Sequence, residues 1–132
     1  MGTPSGSPKF TAVVSGPYRP GKHIVVDGNG LEETGLVEVM RFQSMIEPRI
    51  EALGLVSVGA VYHDFPGGGY TAVICLTESH VSIHTWPEHG RATFDVFLSN
   101  FSKDNDAAGN ELVRCIQAYL GDGAYDRTDL RR

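Results

Sequence analysis

Apolar and polar residues alternate at 80–86 and at 92–98, the pattern of strands with one buried face. The preceding segments 55–65 and 70–77 are rich in Val, Ile and Tyr and also predict strands. Short sequences rich in glycine and proline separate the members of each pair, so each pair is expected to form a hairpin. A β-branched segment at 23–27, stopped by Gly-Asn-Gly, predicts a first strand.

Two further segments carry apolar residues at roughly helical spacing. The first, 32–53, ends at Gly54, and Pro48 is expected to kink or break it. The second, 107–120, has one apolar side. The order βαββββα predicts an α+β fold, a two-layer sandwich in which two helices pack on one face of a mainly antiparallel sheet.

The length of 132 residues predicts one domain. Residues 1–21, interrupted by glycine and proline, are expected to form an N-terminal extension with a possible short strand at 10–14. Residues 22–120 are the predicted domain, and residues 121–132 are a predicted polar C-terminal tail.

The composition limits the partners of the chain. A net charge of −5 without clustered Lys and Arg argues against nucleic acid and suits a cationic substrate. No apolar stretch approaches the roughly 20 residues of a membrane span, and the N-terminus lacks a secretory signal, so we expect a cytoplasmic protein. Cys75 and Cys115 have no partner at metal-ligand spacing and are expected to be reduced core residues.

The densest set of reactive side chains lies in residues 77–88, Thr-Glu-Ser-His-Val-Ser-Ile-His-Thr-Trp-Pro-Glu. A regular strand places on one face Ser79, Val81, Ile83 and Thr85. It places on the other face His80, Ser82, His84 and Trp86. A bend near the first serine changes this assignment.

The residue types alone leave three interpretations open. Ser79, His84 and Glu88 are the types of a serine hydrolase triad, although no Gly-x-Ser-x-Gly turn surrounds the serine. A metal site that combines His84 and Glu88 with His80 and His89 is disfavoured. The reason is that His80 and His84, four positions apart on a strand, are about 13 Å apart. In the third interpretation the histidines form hydrogen bonds within the fold and the tryptophan packs. We expect no metal.

Residues 78–88 together with Asp-Val-Phe at 95–97 closely resemble the processing segment of bacterial and archaeal S-adenosylmethionine decarboxylases. The resemblance extends over most of the predicted domain. Other similar positions are 21–23, Asp27, His63 and Phe65.

The resemblance implies that Ser79 attacks the carbonyl of Glu78 and that the resulting ester eliminates. Hydrolysis then leaves a pyruvoyl group derived from Ser79, and the chain is split into residues 1–78 and 79–132. Thr71, at a position where the family usually has serine, is implied to steady the intermediate. His84 matches the histidine that removes the α-proton.

The resemblance further implies a decarboxylase that needs no pyridoxal phosphate. The pyruvoyl ketone condenses with the substrate amine as a Schiff base and accepts electrons as CO2 leaves. It implies that Phe65 stacks on the adenine, that Glu88 binds the ribose hydroxyls and that Trp86 lines the site. The product supports polyamine synthesis, and the processed chains pair as a homodimer.

Besides Thr71, other departures from the family pattern include Ser99, Arg91 and Tyr70. Ser99 replaces the cysteine that is thought to return a proton to the substrate, and a hydroxyl is a far weaker acid than a thiol. Arg91 could hold a carboxylate, and Tyr70 could reshape the space for a nucleoside. The alternatives are therefore a decarboxylase of arginine, ornithine or another amino acid, and an unprocessed homologue that binds a ligand or regulates a partner.

Overall fold

The computed structural model describes residues 17–132, which form a six-stranded sheet covered on one face by two helices. The elements are β1 Lys22–Asn29, α1 Val39–Ala52, β2 Ser57–Asp64, β3 Tyr70–Leu76, β4 Ser79–Trp86, β5 Arg91–Leu98, α2 Asp106–Leu120 and β6 Ala124–Arg131. The strand order is β2-β3-β4-β5-β1-β6, and every neighbouring pair is antiparallel. The predicted α+β sandwich is confirmed.

The core lies between the helices and one face of the sheet, because alternate residues of β1, β3, β4 and β5 are buried there. From α1, Phe42 and Ile46 enter this core, and from α2, Leu112 and Ile116. The opposite face of the sheet has no covering layer among residues 17–132, and we call it the open face. Cys75 lies on it and is exposed, so the prediction that it is a core residue is wrong.

The predicted C-terminal tail contains an edge strand. β6 pairs with β1 along its length, with Lys22 opposite Arg131 and Asn29 opposite Ala124. No strand was predicted here, because both faces of this edge strand are largely exposed and its mostly polar side chains show no alternation of buried positions. The possible strand at 10–14 lies outside the described residues.

The first predicted helix is divided into a short 3-10 turn, Glu33–Gly35, and α1. Side chains from the sheet donate hydrogen bonds to two backbone carbonyls at the end of the 3-10 turn. The Tyr70 hydroxyl donates to the Gly35 oxygen at 2.9 Å, and the Thr85 hydroxyl donates to the Leu36 oxygen at 2.8 Å. A continuous helix would use those carbonyls for its own N–H groups. Pro48 lies inside α1, which continues to Ala52.

Neither helix of residues 17–132 has the length and apolar character that crossing a membrane requires.

Candidate active site

The turn between β3 and β4 consists of two residues, Thr77 and Glu78, because Leu76 pairs directly with Ser79. Such short hairpin turns usually contain glycine or asparagine at positive φ. Here neither turn residue is of that kind, and Ser79 has a φ of 113°, the single positive value for a non-glycine residue among residues 17–132. The bond between Glu78 and Ser79 therefore adjoins a strained backbone.

The acyl side of this bond is tied to the loop between β5 and α2. The Ser99 N–H donates to the Glu78 carbonyl oxygen at 2.9 Å. The Ser99 hydroxyl donates to Oε1 of the Glu78 carboxylate at 2.6 Å, and the Ser102 hydroxyl donates to Oε2. Because the predicted cleavage falls at this bond, we call Glu78, Ser79, Ser99 and Ser102 the cleavage cluster.

The predicted faces of β4 are confirmed beyond its first residue. Val81, Ile83 and Thr85 are buried under the helices, while the alternate residues lie on the open face. Ser79 itself is half-buried, and its positive φ interrupts the regular alternation.

Thr71 and His84 form a second group on the open face. They are opposite each other in the register of β3 and β4, and the Thr71 hydroxyl oxygen lies 2.5 Å from Nδ1 of His84. His84 is five positions along β4 from Ser79, which corresponds to roughly 16 Å. Within one chain, Thr71 and His84 are therefore in contact with each other, but neither contacts Ser79.

The residues that are predicted to bind the substrate lie at the same end of the sheet as Thr71 and His84. Phe65 follows β2 and is 47% exposed, with its ring 5.0 Å from that of His63. Trp86 ends β4 and is 38% exposed, and Glu88 is exposed in the 3-10 turn Pro87–His89. After the predicted substrate contacts, we call this the recognition end, and it comprises Phe65, Thr71, His84, Trp86 and Glu88.

Arg91 also lies at this end, but its charge is partly opposed within the chain. Its guanidinium donates to Asn29 Oδ1 at 3.0 Å, lies 3.6 Å from the Asp27 carboxylate and is 6.0 Å from the centre of the Trp86 ring. A substrate carboxylate at Arg91 would have to compete with Asp27.

A hydrogen-bonded cluster next to the cleavage cluster was not predicted. His23 and His80 each place Nε2 against Oδ2 of Asp95, at 2.6 and 2.7 Å, and the Ser82 hydroxyl donates to Oδ1. Burial opposes ionisation of Asp95, but these hydrogen bonds outweigh it and lower the pKa of the carboxyl. His23, His80 and Asp95 all belong to the segments that resemble the family, but their spacing in the sequence does not show that they converge.

The same three groups are close enough together to be considered as metal ligands. However, Nη1 of Arg132 lies 3.2 Å from Nδ1 of His23. Because a guanidinium only donates, Nδ1 accepts and Nε2 carries the proton that points at Asp95. The geometry is therefore that of a hydrogen-bonded cluster.

A groove of about 840 Å³ lies between α1 and β2, on the helix side of the sheet. None of the predicted site residues lines it. The candidate chemistry is instead concentrated on the open face and at the turn that leads into it.

The fold and the site define a class of protein: an antiparallel α+β sandwich whose candidate site residues lie on an uncovered sheet face and at the turn that leads into it. The family model described as S-adenosylmethionine decarboxylase matches residues 22–132. The chain belongs to this family.

Related proteins agree with this assignment. The chain is 34% identical over 112 residues to an S-adenosylmethionine decarboxylase proenzyme of Methanococcus maripaludis strain C7, covering 85% of this chain and 88% of the relative. It is 38% identical over 77 residues to the proenzyme of Archaeoglobus fulgidus, covering 58% and 69%. The crystal structure of the adenosylmethionine decarboxylase from Aquifex aeolicus superimposes with a TM-score of 0.77 at 28% identity, covering 88% of this chain and 92% of that one.

Proposed function

We propose that this chain is a precursor that cleaves its own Glu78–Ser79 bond and that the processed protein decarboxylates S-adenosylmethionine by means of a pyruvoyl group at position 79. The observation that carries the proposal is the positive φ of Ser79 beside a carbonyl that already accepts the Ser99 N–H. The relatives are named proenzymes and decarboxylases of this substrate, which supports the same conclusion.

In the first step the Ser79 hydroxyl oxygen adds to the carbonyl carbon of Glu78, and the carbon–nitrogen bond then breaks to leave an ester and a free amine. Negative charge develops on the Glu78 oxygen during the addition. The Ser99 N–H faces that oxygen and would stabilise the charge, as an oxyanion hole does. Relief of the strained φ would lower the barrier further.

Elimination then removes the α-proton of Ser79 and expels the Glu78 carboxylate as the new end of residues 1–78. The dehydroalanine that remains takes up water and loses ammonia. The pyruvoyl group supplies a ketone that binds the substrate amine and accepts the electron pair released with CO2. Pairing of β4 with β3 and β5 would keep the new chain start in place.

The recognition end suits an adenosyl sulfonium substrate. Exposed Phe65 and Trp86 offer ring faces for a purine and a nearby cation, and the exposed carboxylate of Glu88 is free to accept from ribose hydroxyls. The pairing of Arg91 with Asp27 reduces the repulsion that a cationic substrate would meet there.

We further propose that the active protein is a homodimer formed through the open faces. The roughly 16 Å between Ser79 and His84 is too long for direct proton transfer within one chain. The open face also exposes apolar side chains, including Val61 at 65% and Leu130 at 43%.

A two-fold axis across the strands would place the cleavage cluster of one chain over the recognition end of its partner. Stacked sheets lie about 10 Å apart, so side chains from both would meet between them. Each site would then contain Ser79 from one chain and the Thr71–His84 pair from the other.

Mass spectrometry of the purified chain tests the cleavage. We expect two fragments, 1–78 and 79–132, with the second blocked at its start by the pyruvoyl group, and a single intact chain for Ser79→Ala. Release of CO2 from carboxyl-labelled substrates tests the specificity, with S-adenosylmethionine active and arginine and ornithine inactive. An intact wild-type chain in aged preparations refutes the proposal and favours a binding or regulatory homologue.

Co-expression tests the shared site. His84→Ala should remain intact alone and should be cleaved when paired with Ser79→Ala, whose own His84 is unchanged. Cleavage of His84→Ala without a partner, or no cleavage with one, contradicts the two-chain arrangement.

A further inference from the structure

The side chain of Glu78 is held by the same loop that contacts its carbonyl. The two carboxylate oxygens accept separate hydroxyl protons, one from Ser99 and one from Ser102, while the Ser99 N–H holds the carbonyl oxygen. Glu78 is a half-buried turn residue. Three hydrogen bonds from two serines therefore fix both the main chain and the side chain of this residue.

The loop that provides these serines is itself held by buried amides. Asn105 is 1% exposed, and its Nδ2 donates to the Ser99 carbonyl oxygen at 2.9 Å, while its backbone N–H donates to Asn100 Oδ1 at 2.7 Å. Asn100 in turn donates to the Pro20 carbonyl at 3.0 Å. The backbone is thus held on both sides of Ser102, at Ser99 and at Asn105.

A strained conformation persists only where its surroundings enforce it. The turn from Thr77 to Glu78 has no glycine, and without the carboxylate contacts the Ser99 N–H alone would oppose rotation of the Glu78 peptide. Such rotation would take the carbonyl away from the Ser99 N–H and let Ser79 return to negative φ. Hydrogen bonds to an ionised carboxylate are stronger than neutral ones, which suits this holding role.

We propose that Ser102 is a positioning residue for self-cleavage, acting through the Glu78 carboxylate to keep the scissile carbonyl on the Ser99 N–H. Through its hydrogen bonds to the Glu78 carboxylate, the loop between β5 and α2 then fixes the position of the Glu78–Ser79 bond. This inference rests on the proposed self-cleavage. It assigns a function to a residue outside the motif resemblance.

Cleavage of freshly translated chain, followed over time by mass spectrometry, tests this role. Ser102→Ala should slow cleavage about tenfold, equivalent to 1.36 kcal/mol in the barrier. Ser102→Thr, which keeps the hydroxyl, should restore most of the rate. Ser57→Ala, an exposed serine at the start of β2, is the matched control and should cleave like the wild type.

A double-mutant cycle separates positioning from general loosening of the fold. Glu78→Ala should slow cleavage, and adding Ser102→Ala to it should slow cleavage no further, because the two changes remove one interaction. In the uncleavable Ser79→Ala background, Ser102→Ala should leave the unfolding midpoint unchanged within error.

Equal rates for wild type and Ser102→Ala, or additive effects in the cycle, overturn the role of Ser102 while self-cleavage stands. A slow Ser102→Thr variant also overturns it, because the hydroxyl would then not be the cause. If the wild-type chain never cleaves, the proposed function fails and this inference fails with it.

Discussion

Replacing Ser79 with glycine should stabilise the uncleaved chain relative to replacing it with alanine. Both variants lack the hydroxyl and stay intact, so their difference reports on the backbone. A side chain at a φ of 113° costs about 1–3 kcal/mol. Glycine avoids this cost but gives the unfolded chain extra freedom, worth about 0.4–1 kcal/mol against it. The expected net gain is about 0.5–2 kcal/mol in favour of glycine.

Equilibrium unfolding in urea, followed by circular dichroism at one protein concentration, measures this difference. Thr93 in β5 provides the matched control, since it lies in a regular strand and is half-buried. There Thr93→Gly should be less stable than Thr93→Ala by about 0.5–1 kcal/mol. If glycine is no better than alanine at position 79, the turn stores no strain and that part of the cleavage mechanism is wrong.

Two other predictions concern the sheet. The hydrogen bonds to Asp95 lower the pKa of its carboxyl below the ordinary 3.8. The ionised carboxylate therefore stabilises the fold above pH 3.8, and this contribution is lost as the pH falls through the pKa of Asp95 in the folded chain. Unfolding midpoints from pH 7 to pH 3 should therefore fall less steeply for Asp95→Asn than for wild type, and equal slopes would count against the cluster. Tyr70→Phe should cost about 1–3 kcal/mol because it leaves the buried Gly35 carbonyl without its donor. Tyr62→Phe, which removes an exposed hydrogen bond to Glu47, should cost less in the same urea titration, and equal costs would refute the argument.

Much of the sheet was predictable because burial on one face leaves a period of two in the sequence. Val81 and Ile83 in β4 show it, and the helices show their own spacing. β6 carries no such signal because little of it beyond Tyr125 packs against the core, and its pairing with β1 defines it. The start of α1 was equally hidden, because Tyr70 and Thr85 act on it from distant parts of the chain.

The candidate site residues likewise comprise some that the sequence predicted and others that only the tertiary structure identified. The sequence by itself indicated the family, the bond at Glu78–Ser79 and the types of group that serve it, because those residues are neighbours in one short segment. Only the tertiary structure decided that Ser99 and Ser102 contact Glu78 and that His84 lies far from Ser79. The physical reason is that an extended strand separates neighbours in sequence, whereas antiparallel pairing and loops bring distant residues together.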